Sequence, residues 1–355
     1  MSTATASSNT PQQRNTAADE FARRRQSPLQ RLQHTLHAHP AISPLIVLVI
    51  SWIVFTNLNP NFGSLGTTSL IFQQVAVVGA LAVGQTLIIL TAGIDLSVGA
   101  ACILAMLLAA KLNAEQGVPA VFAILLGVAA GTLAGAFNGV LVTRLKLPPF
   151  IVTLGTLSIF TAIGLLYADG KSISEKGAGT EAGMDSFMLW TGKVFSIGGL
   201  RITTGVVLVV LMYVVVAFAL RQTTWGRHVY AVGNDPEAAR LVGISTSRVL
   251  FSVYAVAGLI YGITAWILIG RASVANPNLL TDANLESITA VVIGGTSLFG
   301  GRGAIFGTLL GALIVGFFST GLALAGVDDQ YRVLAIGALV IIAVSVDQWI
   351  RKVKA

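Results

Sequence analysis

Few residues in this chain are of a type that performs chemistry, and their spacing narrows the field further. The single cysteine, Cys102, lies inside an apolar run, so there is no disulfide framework or cysteine-based metal site to build, and it is expected to be a small buried apolar residue. Of the four histidines, His34, His37 and His39 gather just ahead of the first apolar stretch, with no carboxylate or cysteine at metal-binding spacing. No Gly-x-x-x-x-Gly-Lys-[Ser/Thr] run is present to cradle nucleotide phosphates, and neither His-Glu-x-x-His nor Gly-x-Ser-x-Gly occurs. The chain is therefore read as no enzyme, with no metal and no cofactor of its own. What remains is a set of uncharged amides and hydroxyls inside apolar segments: Gln73, Gln74, Gln85, Asn138, Thr153, Thr156, Asn284, Thr289 and Thr296. Such groups bind a neutral, hydroxyl-rich solute through hydrogen bonds without ion pairs, and they also join helices to one another.

Three polar or glycine-rich interruptions carry more pattern than these scattered residues. In 91–100, Gly93 is expected to end one helix, Asp95 to cap the next, and Ser97 to satisfy a free amide in its first turn. In 290–303, Gly294, Gly295, Ser297, Gly300 and Gly301 lie in a run whose glycines permit close helix packing and an unwound backbone. The third interruption, 221–248, reads as one short helix. Asp235 is a good N-cap, Pro236 suits the first helical position, Glu237 sits at the positive end of the macrodipole, Ala238 and Ala239 follow, and Gly243 supplies a left-handed stop.

The elements that must position these residues are membrane spans. Of the 355 residues 54% are hydrophobic and only 10% charged, and the mean hydropathy is +0.80, which places the chain among all-α, polytopic integral membrane proteins. Apolar segments near 44–58, 69–90, 98–112, 118–142, 149–167, 202–220, 249–269, 286–299, 304–325 and 333–346 give about ten transmembrane helices, of which 286–299 is short enough to be a broken or re-entrant helix. The organisation expected is a cytoplasmic tail with an interfacial helix at 1–41, a transmembrane domain at 42–346 containing the loop 221–248, and a cytoplasmic tail at 347–355. With the N-terminus inside, 15 of the 22 Lys and Arg residues fall on the cytoplasmic side and 7 outside, the bias that orients such proteins. The net charge of +7 thus follows a bilayer face, and no nucleic-acid partner is expected. The largest outer loop is 169–201.

The wording of the interruptions adds a resemblance. Gly-Ile-Asp-Leu-Ser-Val-Gly at 93–99 and Val-Ile-Gly-Gly-Thr-Ser-Leu-Phe-Gly-Gly-Arg-Gly at 292–303, with Lys-Leu-Pro-Pro-Phe-Ile-Val-Thr-Leu-Gly at 146–155 and Trp225-Gly226-Arg227, resemble the ribose-type sugar permeases, the membrane subunits of monosaccharide ABC importers. The Leu147-Pro148-Pro149-Phe150 run is similar to the fructose branch, although which sugar is carried is not written in the sequence. Glu237-Ala238-Ala239-x-x-x-Gly243 resembles the Glu-Ala-Ala coupling loop of importer permeases, while Val253-Tyr254-Ala255 stands where other branches continue differently. The resemblance implies a bacterial inner-membrane subunit in a homodimeric or paired transmembrane domain, with a second permease copy as the expected partner; the charge bias puts both termini in the cytoplasm. It also implies a separate ABC ATPase that uses ATP and Mg, and a periplasmic sugar-binding protein. The polar span residues are then candidates for a translocation path. The rival is a secondary sugar transporter driven by an ion gradient, which would bury an ionisable group at mid-membrane depth. Asp95 and Glu286 are expected at span ends, leaving the interior without one.

Overall fold

The structure, a computed structural model, describes residues 42–175 and 183–352. The expected N-terminal tail and interfacial helix at 1–41 lie outside the described residues. Twelve helices follow in the described part: α1 Ile42–Leu58, α2 Leu65–Leu90, α3 Val98–Ala114, α4 Ala120–Arg144, α5 Pro149–Tyr167, α6 Thr204–Gln222, α7 Thr224–Asn234, α8 Pro236–Leu241, α9 Thr246–Ala272, α10 Ala283–Ile293, α11 Ile305–Leu324 and α12 Asp329–Lys352. Strand is confined to short connections. β1 Ile173–Ser174 pairs antiparallel with β4 Val274–Ala275, and β2 Val194–Ile197 forms a hairpin with β3 Leu200–Thr203. The chain is thus mostly helical, as its composition requires, with two small sheets where only a loop was expected.

Six helices, α2, α4, α5, α6, α9 and α11, are long and apolar enough to cross a bilayer, while α1, α3, α10 and 330–342 of α12 are shorter apolar helices. The eleven residues of α10 rise roughly 16 Å, about half the hydrocarbon thickness. The segment expected at 286–299 is therefore a half-length helix followed by non-helical backbone, the broken form that its glycines permit. At the other boundary, α12 continues through 347–352 as helix.

α2 is the axis of the body, buried at every residue from Gly79 to Leu90. Around it, α4 and α9 approach until their backbones touch, because glycines face each other: a methyl group added at Gly131 would lie 2.7 Å from the Gly262 amide nitrogen. Such contact needs small residues on both helices, which is how helices associate where lipid removes the hydrophobic drive. At the opposite end of α2, rings of Trp52, Phe55, Phe62, Phe317 and Phe318 pack edge-on or tilted, with centroids 5.3–5.6 Å apart, and tie α1 to α11. The outward faces of α4, α5 and α6 carry exposed Leu133, Leu166 and Val214, the surface expected against lipid or another apolar chain.

The connections between helices sort into two ends. At one end Asn59 donates to the Leu324 carbonyl across 2.8 Å, Lys111 donates to the Tyr167 carbonyl and lies 3.1 Å from Asp169, and Ile173 pairs with Ala275. At the other end the Gly301 amide donates to the Leu90 carbonyl across 2.9 Å, and the Tyr230 hydroxyl donates to the Gly303 carbonyl across 2.9 Å. Ser174 belongs to the first set, and Ser245, which opens α9 after the α7–α8 pair, to the second; both are exposed. In a Cys102→Ser background, single cysteines at these two positions are expected to react with a membrane-impermeant thiol reagent from opposite faces. Labelling of both from one face would contradict this arrangement.

Candidate functional site

The interruption after α2 does not lie at a surface. Ala92 takes a left-handed conformation, φ 59°, and the Gly93 amide returns to the Ile88 carbonyl across 3.0 Å, which closes the helix. The chain then runs without regular structure through Asp95, 1% exposed, to the start of α3. A carboxylate held so far from water costs several kcal/mol unless its oxygens are bonded. Asp95 Oδ1 accepts from the Ser97 amide at 2.7 Å and the Ser97 hydroxyl at 2.6 Å, and Oδ2 accepts from the Tyr261 hydroxyl at 3.2 Å. Among the described residues Asp95 takes part in no ion pair, unlike Lys111 with Glu115 and Asp169, and Arg240 with Glu237.

Four more helices complete the network. Asn138 of α4 donates its amide to the Ser97 hydroxyl across 2.8 Å. Thr153 of α5 donates to the Ile94 carbonyl across 3.1 Å. Asn284, second residue of α10, accepts from the Gly99 amide across 3.0 Å. Gln85 of α2 faces the Asp95 backbone, and with its side-chain amide turned over, the orientation that satisfies both its oxygen and its nitrogen, it donates to the Asp95 carbonyl at 3.2 Å and accepts from the Asp95 amide at 3.3 Å. The backbone groups freed by the break are thereby satisfied from α2, α5 and α10, as an apolar interior demands.

Two expectations change here. Ser97 does not cap a first-turn amide of α3: its hydroxyl turns to Asp95, and the Gly99 amide is taken by Asn284 from a distant part of the chain. Asp95 does lie between two helix ends in sequence, four residues past the cap of α2 and two before that of α3, yet it is buried, because the break itself lies inside the bundle. Its partner Tyr261 is near the middle of the 27-residue α9. Glu286, also expected at a span end, is half-buried in the first turn of α10.

The other candidate polar residues lie apart from this network. Gln73 donates to the Arg201 carbonyl, and Gln74 exchanges bonds with Ser319 and Thr320, roughly 18 Å along α2 from Gln85. Thr156 and Thr289 donate to carbonyls within their own helices. The buried Thr296 hydroxyl has no partner. Among the described residues no three His, Cys, Asp or Glu side chains gather as a metal group would need.

The second signature is a tight turn after α10. Gly294 caps that helix, the Ser297 amide donates to the Arg302 carbonyl and the Gly300 amide to the Ser297 carbonyl, and Gly295, Gly300 and Gly301 all have positive φ.

The third interruption folds into two helices where one was expected. α7 is amphipathic, with Gly226, Val229, Val232 and Gly233 buried while Arg227 and His228 face out, a pattern at helical spacing. α8 is built as its sequence requires. Asp235 accepts from the Glu237 and Ala238 amides at 3.0 Å each, and Pro236 occupies the first turn. Gly243, φ 89°, allows its own amide and that of Ile244 to reach back to the Arg240 and Ala239 carbonyls, the Schellman closure. The two alanines part company, for Ala239 is 4% exposed and packs on its own chain, while Ala238 faces out with Leu241 and Val242, 82% and 77% exposed.

Tyr261 and Tyr230 were not legible as site residues, since a tyrosine in an apolar run announces only packing. Tyr261→Phe keeps the ring against Gly84 but leaves one Asp95 oxygen without its donor. A loss of about 1–3 kcal/mol is expected, read as a lower unfolding midpoint in detergent. Adding Asp95→Asn should recover part of it, and an unchanged midpoint in Tyr261→Phe would show that this bond contributes nothing.

Comparison with known proteins bears on what such a bundle does. A family model described as the branched-chain amino acid transport system permease component matches residues 67–344. The chain is 51% identical over 328 residues to the fructose import permease protein of Rhizobium meliloti, covering 92% of this chain and 90% of that one. It is 39% identical over 307 residues to the ribose import permease protein of Bacillus subtilis, covering 86% and 92%, and 36% identical over 303 residues to that of Escherichia coli K12, covering 85% and 92%. No solved structure matches. The matched region contains α3 to α11 whole and all but the first two residues of α2, with the polar network, the glycine turn and the α7–α8 pair, and the chain belongs to this family of importer permease components, on the ribose-type side that includes the fructose permease.

Proposed function

We propose that this chain is the transmembrane permease subunit of an ATP-driven importer that carries a monosaccharide across the bacterial inner membrane, with fructose the first sugar to test. The observation that carries this reading is the 51% identity, sustained over 92% of the chain, to a fructose import permease. The interior agrees with a neutral cargo, since its buried polar groups are amides and hydroxyls and its one fully buried carboxylate is already bonded on both oxygens.

The chain crosses ten times with both termini inside, α10 contributing only half a crossing as helix. The separation of connections into two ends supports this, because 90–98, 144–149, the α7–α8 segment and 293–305 then share the cytoplasmic face that carries the excess of basic residues. The outer connections, with the β2–β3 hairpin, offer a surface for a periplasmic sugar-binding protein. A second copy of the chain completes the pathway, and a partner ATPase supplies ATP and Mg chemistry that these residues do not perform.

The ATPase docks on α8 through Ala238, Leu241 and Val242, an exposed small and apolar face beside an Arg240–Glu237 pair; a short helix seated in a groove is an economical contact of this kind. Arginine at the end of a helix is electrostatically favourable, so Leu241→Arg should insert and fold normally. It is expected to lower ATPase co-purification and sugar uptake by about tenfold or more, with Ser174→Arg as an outer-face control. Normal co-purification in Leu241→Arg would remove α8 as the docking element.

A buried Asp95 is the kind of group a gradient-driven carrier would use, so the energy source needs its own measurement. Uptake should stop on ATP depletion and persist with an uncoupler while ATP is maintained. Uptake that tracks the membrane potential at constant ATP would favour the gradient-driven carrier.

A further inference from the structure

The end of α2, the end of α7 and the glycine turn between α10 and α11 meet with almost no side chain between them. The Gly301 amide donates to the Leu90 carbonyl across 2.9 Å. A methyl group added at Gly300 would lie 2.6 Å from the Gly233 carbonyl oxygen and 2.8 Å from the Ala92 amide nitrogen, and one added at Gly301 would lie 2.7 Å from Asn234 Cα. At Gly233 a methyl group would run into the Leu90 carbonyl. Tyr230 adds a side-chain bond to the junction, its hydroxyl donating to the Gly303 carbonyl across 2.9 Å.

Backbone packed on backbone lacks the rotamers that would let a side chain absorb a shift, and close-packed interiors transmit displacement. A movement of α7 must therefore reach Leu90 and the glycine turn together. From Leu90 the chain continues through Thr91, Ala92 and Gly93 to Asp95 and its network. These three residues also border a cavity of about 380 Å³. Tyr254 lines the same cavity, and its buried hydroxyl, beside Gly93, has no partner. The stretch after α2 thus has rigid contact with α7 and the turn, and open space beside it.

We propose that Tyr230, Gly233 and the turn 297–303 form a transmission joint that carries movement of the cytoplasmic α7–α8 element into the α2–α3 break, with Tyr230 as the positioning residue that keeps the joint closed. This rests on the reading that α8 is where the ATPase docks. It adds which residues receive the movement and where it goes, since α7 is tied at its other end to α9 by Trp225, which donates to the Ser252 hydroxyl across 2.8 Å.

The test is made on the complete complex in liposomes, with its ATPase and binding protein and fructose as the sugar, comparing Tyr230→Phe with Ser252→Ala. The second variant loosens the same helix away from the joint. Two quantities are read: ATPase retained on purification, and sugar taken up per ATP hydrolysed. Tyr230→Phe is expected to retain the ATPase and hydrolyse ATP while uptake per ATP falls about fivefold, the scale of one lost hydrogen bond; Ser252→Ala is expected to keep the normal ratio. A normal ratio in Tyr230→Phe, an equal fall in both variants, or loss of the ATPase from Tyr230→Phe would each overturn the joint. Failure of docking at α8 shows separately, as retained ATPase in Leu241→Arg, and leaves the ratio measured on Tyr230→Phe to judge the joint.

Discussion

A helix that stops inside an apolar bundle leaves amides and carbonyls that no water can reach, and most of this structure follows from satisfying them. The break after α2 is the central case. Its backbone is answered by Gln85, Thr153 and Asn284, and its carboxylate by Ser97 and Tyr261. Each partner comes from a different helix or from the break itself, so α2, α5, α9 and α10 must keep their relative positions for the interior to stay satisfied, and Asn138 adds α4 by holding Ser97. Unpaired groups there would cost more than the bonds themselves contribute.

The second constraint is proximity. Hydrogen bonds of this length across a bundle require helix backbones that approach closely, and glycines on α4 and α9 provide this in the middle of the body. The same device recurs at one end of the bundle, where Gly233, Gly300 and Gly301 bring three chain segments together. There it joins the break to the α7–α8 element instead of joining two spans. Glycine thus serves two purposes in one chain: close packing between long helices, and a junction with little give where the α7–α8 element meets the core.

These features fit a sugar permease component. Most of its buried polar groups named above already have partners, while the unpartnered hydroxyls of Tyr254 and Thr296 are groups with bonding capacity to spare. α10, half the length of a crossing, begins beside the start of α3 through the Asn284–Gly99 bond. The non-helical backbone at the α2–α3 break is tolerated because protein covers it.

The sequence determined the class outright, because 10% charged residues in a chain of this hydropathy leave no alternative to a helical membrane protein. It also determined α8 residue by residue, since capping by Asp235 and the turn at Gly243 are local rules that act over three or four positions. The family was legible in the wording of 93–99 and 292–303. Only the tertiary structure decided what the polar residues do. Whether Gln85 and Asn138 meet Asp95, or whether Gln73 and Gln74 stand far from them, depends on which helix faces which, and hydrophobic periodicity is silent where a helix is buried on all sides, as α2 is from Gly79 to Leu90. The burial of Asp95 was missed for the same reason: sequence position says that it lies at a helix end, while depth is set by packing against Tyr261, 166 residues away. Ala239 likewise reads as the twin of Ala238, and only the fold turns one inward and leaves the other for a partner.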